Sequence, residues 1–325
     1  MNRAKIGIIG AGNLGIRHLQ ALALLKEACQ ITVMDINREA LRKAEIVFKG
    51  TQGAWKHEAC FVSGIRFMPA AMDIVIIATG ADVRRNVIEE LLEQAHVFYL
   101  VLEKVLFQHL DDYEAVASLL ERKQVKAFVN CPRRMHPICA SLKQKLADAQ
   151  EMEIMYCASD WSLGCNAIHI LDFIAYLAGS QDIEIDISAL DPQYQQSKRS
   201  GFLEITGTIR GSMGRCRAFS LSSYRKQGFP VSTVILSDTC RIHMMEWKKE
   251  LEYADASTGW EWKKQSFEIP YQSHLTNLAV EELLSSGNCR LTSFEESSRL
   301  HIALERKLIP YFERQGVEPG LCPIT

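Results

Sequence analysis

The sequence has no long apolar run, no strong charge of either sign, no repeat and no low-complexity tract. Each absence removes a class of function. No apolar stretch approaches the roughly 20 residues that a membrane-spanning helix needs. The formal net charge is −2, so there is no electrostatic footprint for nucleic acid. No apolar leader precedes the first strand-like run, Lys5–Ile9, so no signal peptide is expected. Paired metal-binding knuckles and an HExxH helix are also missing. His57 with Cys60, Cys131 with His136 and Cys139, and Cys165 with His169 do not follow those spacings. No metal is therefore expected. The ten cysteines are scattered, and a chain of 325 residues does not need disulfide staples. They read as reduced thiols of a cytoplasmic protein.

What is present is ordinary for a globular chain of about two domains, with 47% hydrophobic and 23% charged residues. Its first motif is Gly10-Ala11-Gly12-Asn13-Leu14-Gly15. The motif follows the apolar run Lys5–Ile9 and precedes a helix-like segment, 16–26. Strand, glycine turn and helix in that order form a dinucleotide-binding unit. Gly10 allows the tight turn, Gly12 lets a pyrophosphate approach, and Gly15 lets helix and strand pack closely. Backbone N–H groups near Asn13 and Leu14 are placed to hold phosphates.

Asp35 ends the second apolar run twenty residues after Gly15, where an acidic residue reads the ribose hydroxyls. Its charge repels a 2′-phosphate, so NAD is expected over NADP. Arg38 has two readings, a phosphate ligand or a solvated helix residue. Further strands are expected at 71–79, 97–102 and 125–129, with helices at 37–48, 84–93 and 111–123. Residues 49–68 read as short strands or loop. This alternation implies a doubly wound parallel sheet, a Rossmann domain over residues 1–130. Ala78 and Thr79, then Glu103 and Lys104, end two of its strands on the edge where a ligand sits in such sheets.

From residue 131 the pattern changes to an α+β domain, 131–325, with a large open, mainly antiparallel sheet. Helices are expected at 137–150, 167–177, 275–284 and 294–312, with a capping box from Ser293 and Glu296. Strands are expected at 153–161, 202–210, 215–223, 232–236 and 260–269, with a hairpin turn at 211–214. Trp161 and Tyr224 are candidates to line a sugar site, although buried packing is the favoured reading for both. A sheet with one bare face points to a homodimer or homotetramer.

Four features in order resemble the Gfo/Idh/MocA family of oxidoreductases. They are the glycine motif with His18, then Glu103-Lys104, then Asn130-Cys131-Pro132-Arg133-Arg134 with Pro137, and last His169-Ile170-Leu171-Asp172. The resemblance spans about residues 5–180. It implies NAD(P)-dependent hydride transfer between the cofactor and a hydroxyl or keto group of a sugar, nucleotide sugar or polyol. It further implies that Lys104 and His169 are catalytic. Asn166 is a candidate substrate ligand, Arg134 either binds substrate or braces the two domains, and Asp172, a candidate substrate ligand by its place in the motif, has a structural role as its favoured reading. Lysine can stabilise an alkoxide or act as a base, and histidine changes charge near neutral pH.

The chain departs from the family at two positions. Val105 stands where the family has proline, and Cys165 stands where it often has aspartate. The alternative is a non-catalytic, NAD-binding regulatory protein of the same fold. A third reading is a reductase of an imine or tetrapyrrole-like substrate.

Overall fold

The computed structural model describes residues 3–225 and 228–325. These form two compact units. The first contains residues 1–107, 111–132 and 270–295; the second contains 108–110, 133–269 and 296–325.

The first unit starts with β1 (Lys5–Ile9), α1 (Asn13–Leu22), β2 (Gln30–Met34), α2 (Arg38–Lys49) and β3 (Glu58–Val62). It continues through β4 (Ala71–Ile77), α3 (Ala81–Gln94), β5 (His96–Leu102), α4 (Leu110–Lys123) and β6 (Lys126–Val129). These six strands are parallel and lie in the order β6-β5-β4-β1-β2-β3. This is the doubly wound arrangement, with its switch point beside β1. In β4, Ile74, Val75, Ile76 and Ile77 are all buried. A strand covered on both faces needs such a continuous apolar run. Each of these side chains contributes about 1.5–3 kcal/mol by leaving water. Residues 65–67, read as strand or loop, form a single 3-10 turn.

The second unit holds α5 (Pro137–Lys145), β7 (Met152–Ser159), α6 (Leu163–Ala178) and β8 (Ile183–Leu190). Short β9 (Gln195–Gln196) and β10 (Leu203–Glu204) pair with each other. Then come β11 (Gly207–Met213), β12 (Cys216–Tyr224), β13 (Ser232–Ser237), β14 (Cys240–Met245), β15 (Glu250–Asp255) and β16 (Trp262–Ser266). The large sheet runs β16-β15-β14-β13-β7-β12-β11-β8 and is antiparallel except for the β12–β7 pair. Ile154, Phe219, Leu221, Ile235 and Ile242 face its buried side. On the other side, Met155 and Val234 are register partners, and Met155 is 42% exposed.

The strand expected over 202–210 divides into β10 and β11, and β8 arises where no strand was expected. The hairpin turn falls at Gly214 and Arg215 instead of 211–214. Gly211 lies inside β11, where the Phe219 ring and the Glu184 carbonyl occupy the space a side chain would need. The helix expected over 137–150 stops at Lys145. Arg215 holds the carbonyls of Ala147 and Ala149 in the turns that follow.

The chain completes the first unit with α7 (Thr276–Ser286), packed on α1, and β17 (Thr292–Ser293), antiparallel to β6. One boundary at 130/131 was expected; residues 270–295 instead group with the nucleotide-binding sheet. The last helix is α8 (Phe294–Glu313).

Candidate functional site: the nucleotide-binding edge and helix α6

The carboxyl ends of the parallel strands form one edge, and backbone bonds fix it. Gly10 N donates to Met34 O at 2.8 Å, Ala78 N to Ile9 O at 2.8 Å, and Glu103 N to Ile77 O at 3.0 Å. This places Gly10, Asp35, Ala78, Thr79 and Lys104 along a single rim. Gly10 has φ +99°, a left-handed conformation that favours glycine. A Cβ on Gly15 would overlap the Gly10 carbonyl oxygen, so the helix can approach the turn only without one.

The rim fits a dinucleotide. The space over Gly12 is open: a side chain there would meet no neighbouring atom within 4 Å of its Cβ. No side chain caps α1, whose first-turn N–H groups at Asn13 and Leu14 lack intrahelical acceptors. An anionic pyrophosphate satisfies both needs. Asp35 Oδ2 accepts from Ala11 N at 2.6 Å and Oδ1 from Asn37 N at 2.7 Å. Its carboxylate is thereby fixed beside the glycine turn. Arg38 is exposed on the first turn of α2.

Glu103 is buried behind this rim. Its Oε1 accepts from Asn130 Nδ2 at 2.6 Å and lies 2.9 Å from His18 Nε2. His18 Nδ1 lies 2.8 Å from Thr276 Oγ1, which also accepts from Gln272 Nε2 at 2.9 Å. Burial opposes the charge on Glu103. The hydrogen bond from His18, the charges of His18 and Lys104, and the Asn130 amide outweigh it and hold the carboxyl at about 2. Glu103 is therefore an ionised acceptor for two interior side chains.

Lys104 follows, half-buried, at the end of β5. The Lys104–Val105 peptide is cis. Val105, Leu106 and Phe107 then enter the core, where Phe107 meets Tyr113 edge-on at 5.0 Å. Arg84, on the buried stripe of α3 with Ala81, Ile88 and Leu91, donates to the carbonyls of Thr79, Val105 and Leu106. Sequence reasoning missed it. The available signal was a charged residue at a core position of an amphipathic helix.

The second unit carries the other candidates on and around α6. The chain leaves β7 through Asp160 and Ser162, both with positive φ. Cys165, Asn166 and His169 lie on the half-buried stripe of an otherwise buried helix. Asn166 Nδ2 donates to Trp161 O at 2.7 Å, and Trp161 Nε1 to Ser222 O at 2.9 Å. Trp161 thus packs within the protein, edge-on to Tyr156 at 4.8 Å. Tyr224 differs from its expected burial: it is 45% exposed and stands beside Phe229.

Asp172 and Arg134 are joined to each other, which suits the structural reading favoured for Asp172. Asp172 is 0% exposed, and Arg134 Nε bonds both its oxygens at 3.1 and 3.0 Å. Arg134 also reaches Glu296 Oε2 at 3.1 Å, so the pair ties α6 to α8. A second residue that sequence reasoning missed is Glu204. It accepts from Gly164 N, and from Cys165 N at 3.4 Å, at the start of α6. A carboxylate therefore lies beside the Cys165 backbone although the Cys165 side chain supplies none.

The parallel sheet, glycine turn and fixed acidic residue define a dinucleotide-binding Rossmann fold, here followed by a unit built on a large, mainly antiparallel sheet. Residues 4–131 match the model of the oxidoreductase family with an NAD-binding Rossmann fold, GFO_IDH_MocA. The fold that this model describes is an NAD-binding one.

Solved structures share the fold across the whole chain. UDP-N-acetylglucosamine 3-dehydrogenase GnnA from Acidithiobacillus ferrooxidans is 15% identical, with 95% of this chain and 97% of that one covered and a TM-score of 0.69. An oxidoreductase from Agrobacterium radiobacter in complex with NAD+, L-tartaric acid and magnesium is 15% identical, with coverage of 94% and 95% and a TM-score of 0.73. The super-repressor mutant of Gal80p from Saccharomyces cerevisiae is 13% identical, with coverage of 96% on both sides and a TM-score of 0.70. Among the described residues no helix is long and apolar enough to cross a membrane.

Proposed function

We propose that this protein is an NAD-dependent dehydrogenase or reductase acting on a hydroxyl or keto group of a sugar, nucleotide sugar or polyol. The observation that carries the reading is Lys104 on the rim. It ends the strand next to the one that leads into Ala78 and Thr79, and the buried Glu103 and Val105–Phe107 anchor it on both sides.

NAD supplies hydride acceptance or donation at its nicotinamide ring when bound. The glycine turn, open over Gly12, and the N–H groups of Asn13 and Leu14 would hold the pyrophosphate, and Asp35 would accept from the ribose hydroxyls. Lys104 stabilises the oxygen that gains or loses its proton as the carbon is oxidised or reduced. His169 exchanges that proton, and Asn166 orients the substrate.

A second reading is a regulator that binds NAD without turning it over. It rests on Cys165, whose side chain offers no carboxylate on the helix that carries His169. We further propose a homodimer or homotetramer formed through the exposed sheet face. We also propose a reducing, cytoplasmic setting, which the ten free cysteines support.

Reduced-cofactor formation with a panel of sugars, nucleotide sugars and polyols separates the two functional readings. On the substrate so found, Lys104→Met is expected to lower kcat by about 100-fold or more while NAD still binds. Wild-type turnover by that variant would remove Lys104 from the chemistry.

A further inference from the structure

Arg84 is 1% exposed, and its guanidinium points inward. Nη1 donates to Val105 O and, at 2.7 Å, to Leu106 O; Nη2 donates to Thr79 O. The three carbonyls belong to two different turns. One turn leaves β4 and the other leaves β5. These strands are paired from Ala71 with His96 to Ile77 with Leu102, so the turns begin side by side. Thr79 lies in the first turn, and Lys104 is bonded directly to Val105 in the second. Val105, Leu106 and Phe107 are buried, so water is not at hand to replace the guanidinium.

We propose that Arg84 is a positioning residue whose guanidinium clamps both turns and so fixes Lys104 on the cofactor rim. The proposal rests on the reading of Lys104 as the residue that meets the reacting oxygen. Proline after the lysine would stiffen that turn by fixing one φ. This chain has valine there and holds the turn from outside, by three hydrogen bonds of a rigid planar fork. A lysine at 84 keeps the charge but is a single nitrogen on a flexible stem, and it cannot grip two turns in the same way.

The test begins with Arg84→Lys and needs no substrate. Hydrogen–deuterium exchange is measured on the protein without added cofactor. The amides of residues 79–81 and 103–107 are expected to exchange about tenfold faster or more, with those of β1 and β2 unchanged. If Arg84→Lys does not fold, Arg84→Gln, whose amide reaches one turn, is measured in its place. On a substrate that the wild type turns over, kcat falls about 100-fold with KM and NAD affinity kept. Adding Val105→Pro to Arg84→Lys then recovers turnover.

Unchanged exchange at 103–107 overturns the clamp. Faster exchange spread evenly over the first unit also overturns it, because Arg84 would then only stabilise the fold. Local loosening with wild-type kcat removes the positioning role. Local loosening as stated, in a protein that oxidises and reduces nothing in the panel, upholds the clamp and overturns the dehydrogenase reading instead.

Discussion

Gly12 and Gly15 are three residues apart in one motif, yet they are glycine for different reasons. A side chain at 15 would overlap the backbone of Gly10, whereas a side chain at 12 meets no protein atom. Gly12 has φ −69° and ψ −168°, a conformation open to any residue. Gly12→Val is therefore expected to fold with a Tm close to wild type and to lose at least about tenfold in NAD affinity, about 1.4 kcal/mol. Thermal melts beside NAD titration check this. A large fall in Tm would mean that Gly12 serves the fold and not the ligand. Residues of this kind were legible in the sequence because their work is local. Gly10, Gly15 and Asp35 act within one strand–helix–strand unit. Arg84 was not legible in the same way, since its acceptors are backbone carbonyls that no residue type announces.

At the scale of the element, α6 shows how a helix can be recognised while its support is not. Its apolar run from Ala167 to Leu177 announces a buried helix, and His169 and Asp172 stand on neighbouring turns. What starts the helix comes from elsewhere: Glu204, forty residues from Gly164, takes the first N–H groups. A carboxylate at this end also suits the helix dipole. Glu204→Ala is expected to cost about 1–2 kcal/mol, and Glu204→Gln less, as measured by chemical denaturation. Equal stability of Glu204→Ala and wild type would show that α6 needs no such acceptor. The same distance effect explains β8 and the break between β10 and β11. Their pairing depends on partners that a period-two pattern within one segment does not reveal.

For the whole molecule, the sequence foretold two kinds of architecture and the order in which they occur. The alternation through residue 130 implies the parallel sheet, and the strand-rich half implies the large open one. The exposed side of that second sheet carries Met155, Leu236 and Tyr224, at 42%, 38% and 45% exposure. Apolar groups shared across a sheet face favour self-association. Sedimentation at micromolar concentration is expected to show a dimer or tetramer, and Met155→Lys to shift it toward monomer. A wild-type protein that sediments only as monomer would end the oligomer proposal.

The interleaving of the two units has a consequence for biosynthesis. The ribosome delivers the nucleotide-binding strands first, but His18 waits for Thr276, which is 258 residues later. Gln272 and α7, which cover the same side of α1, are equally late. Most of the chain must be made before the interior around His18, Glu103 and Asn130 can close. During that interval the emerging N-terminal half holds the His18 imidazole without Thr276 and the face of α1 without α7. Such a half-finished sheet is the kind of species that chaperones retain. The vulnerable stage of this protein's life is therefore its synthesis, and a ribosome stalled before residue 276 would expose it.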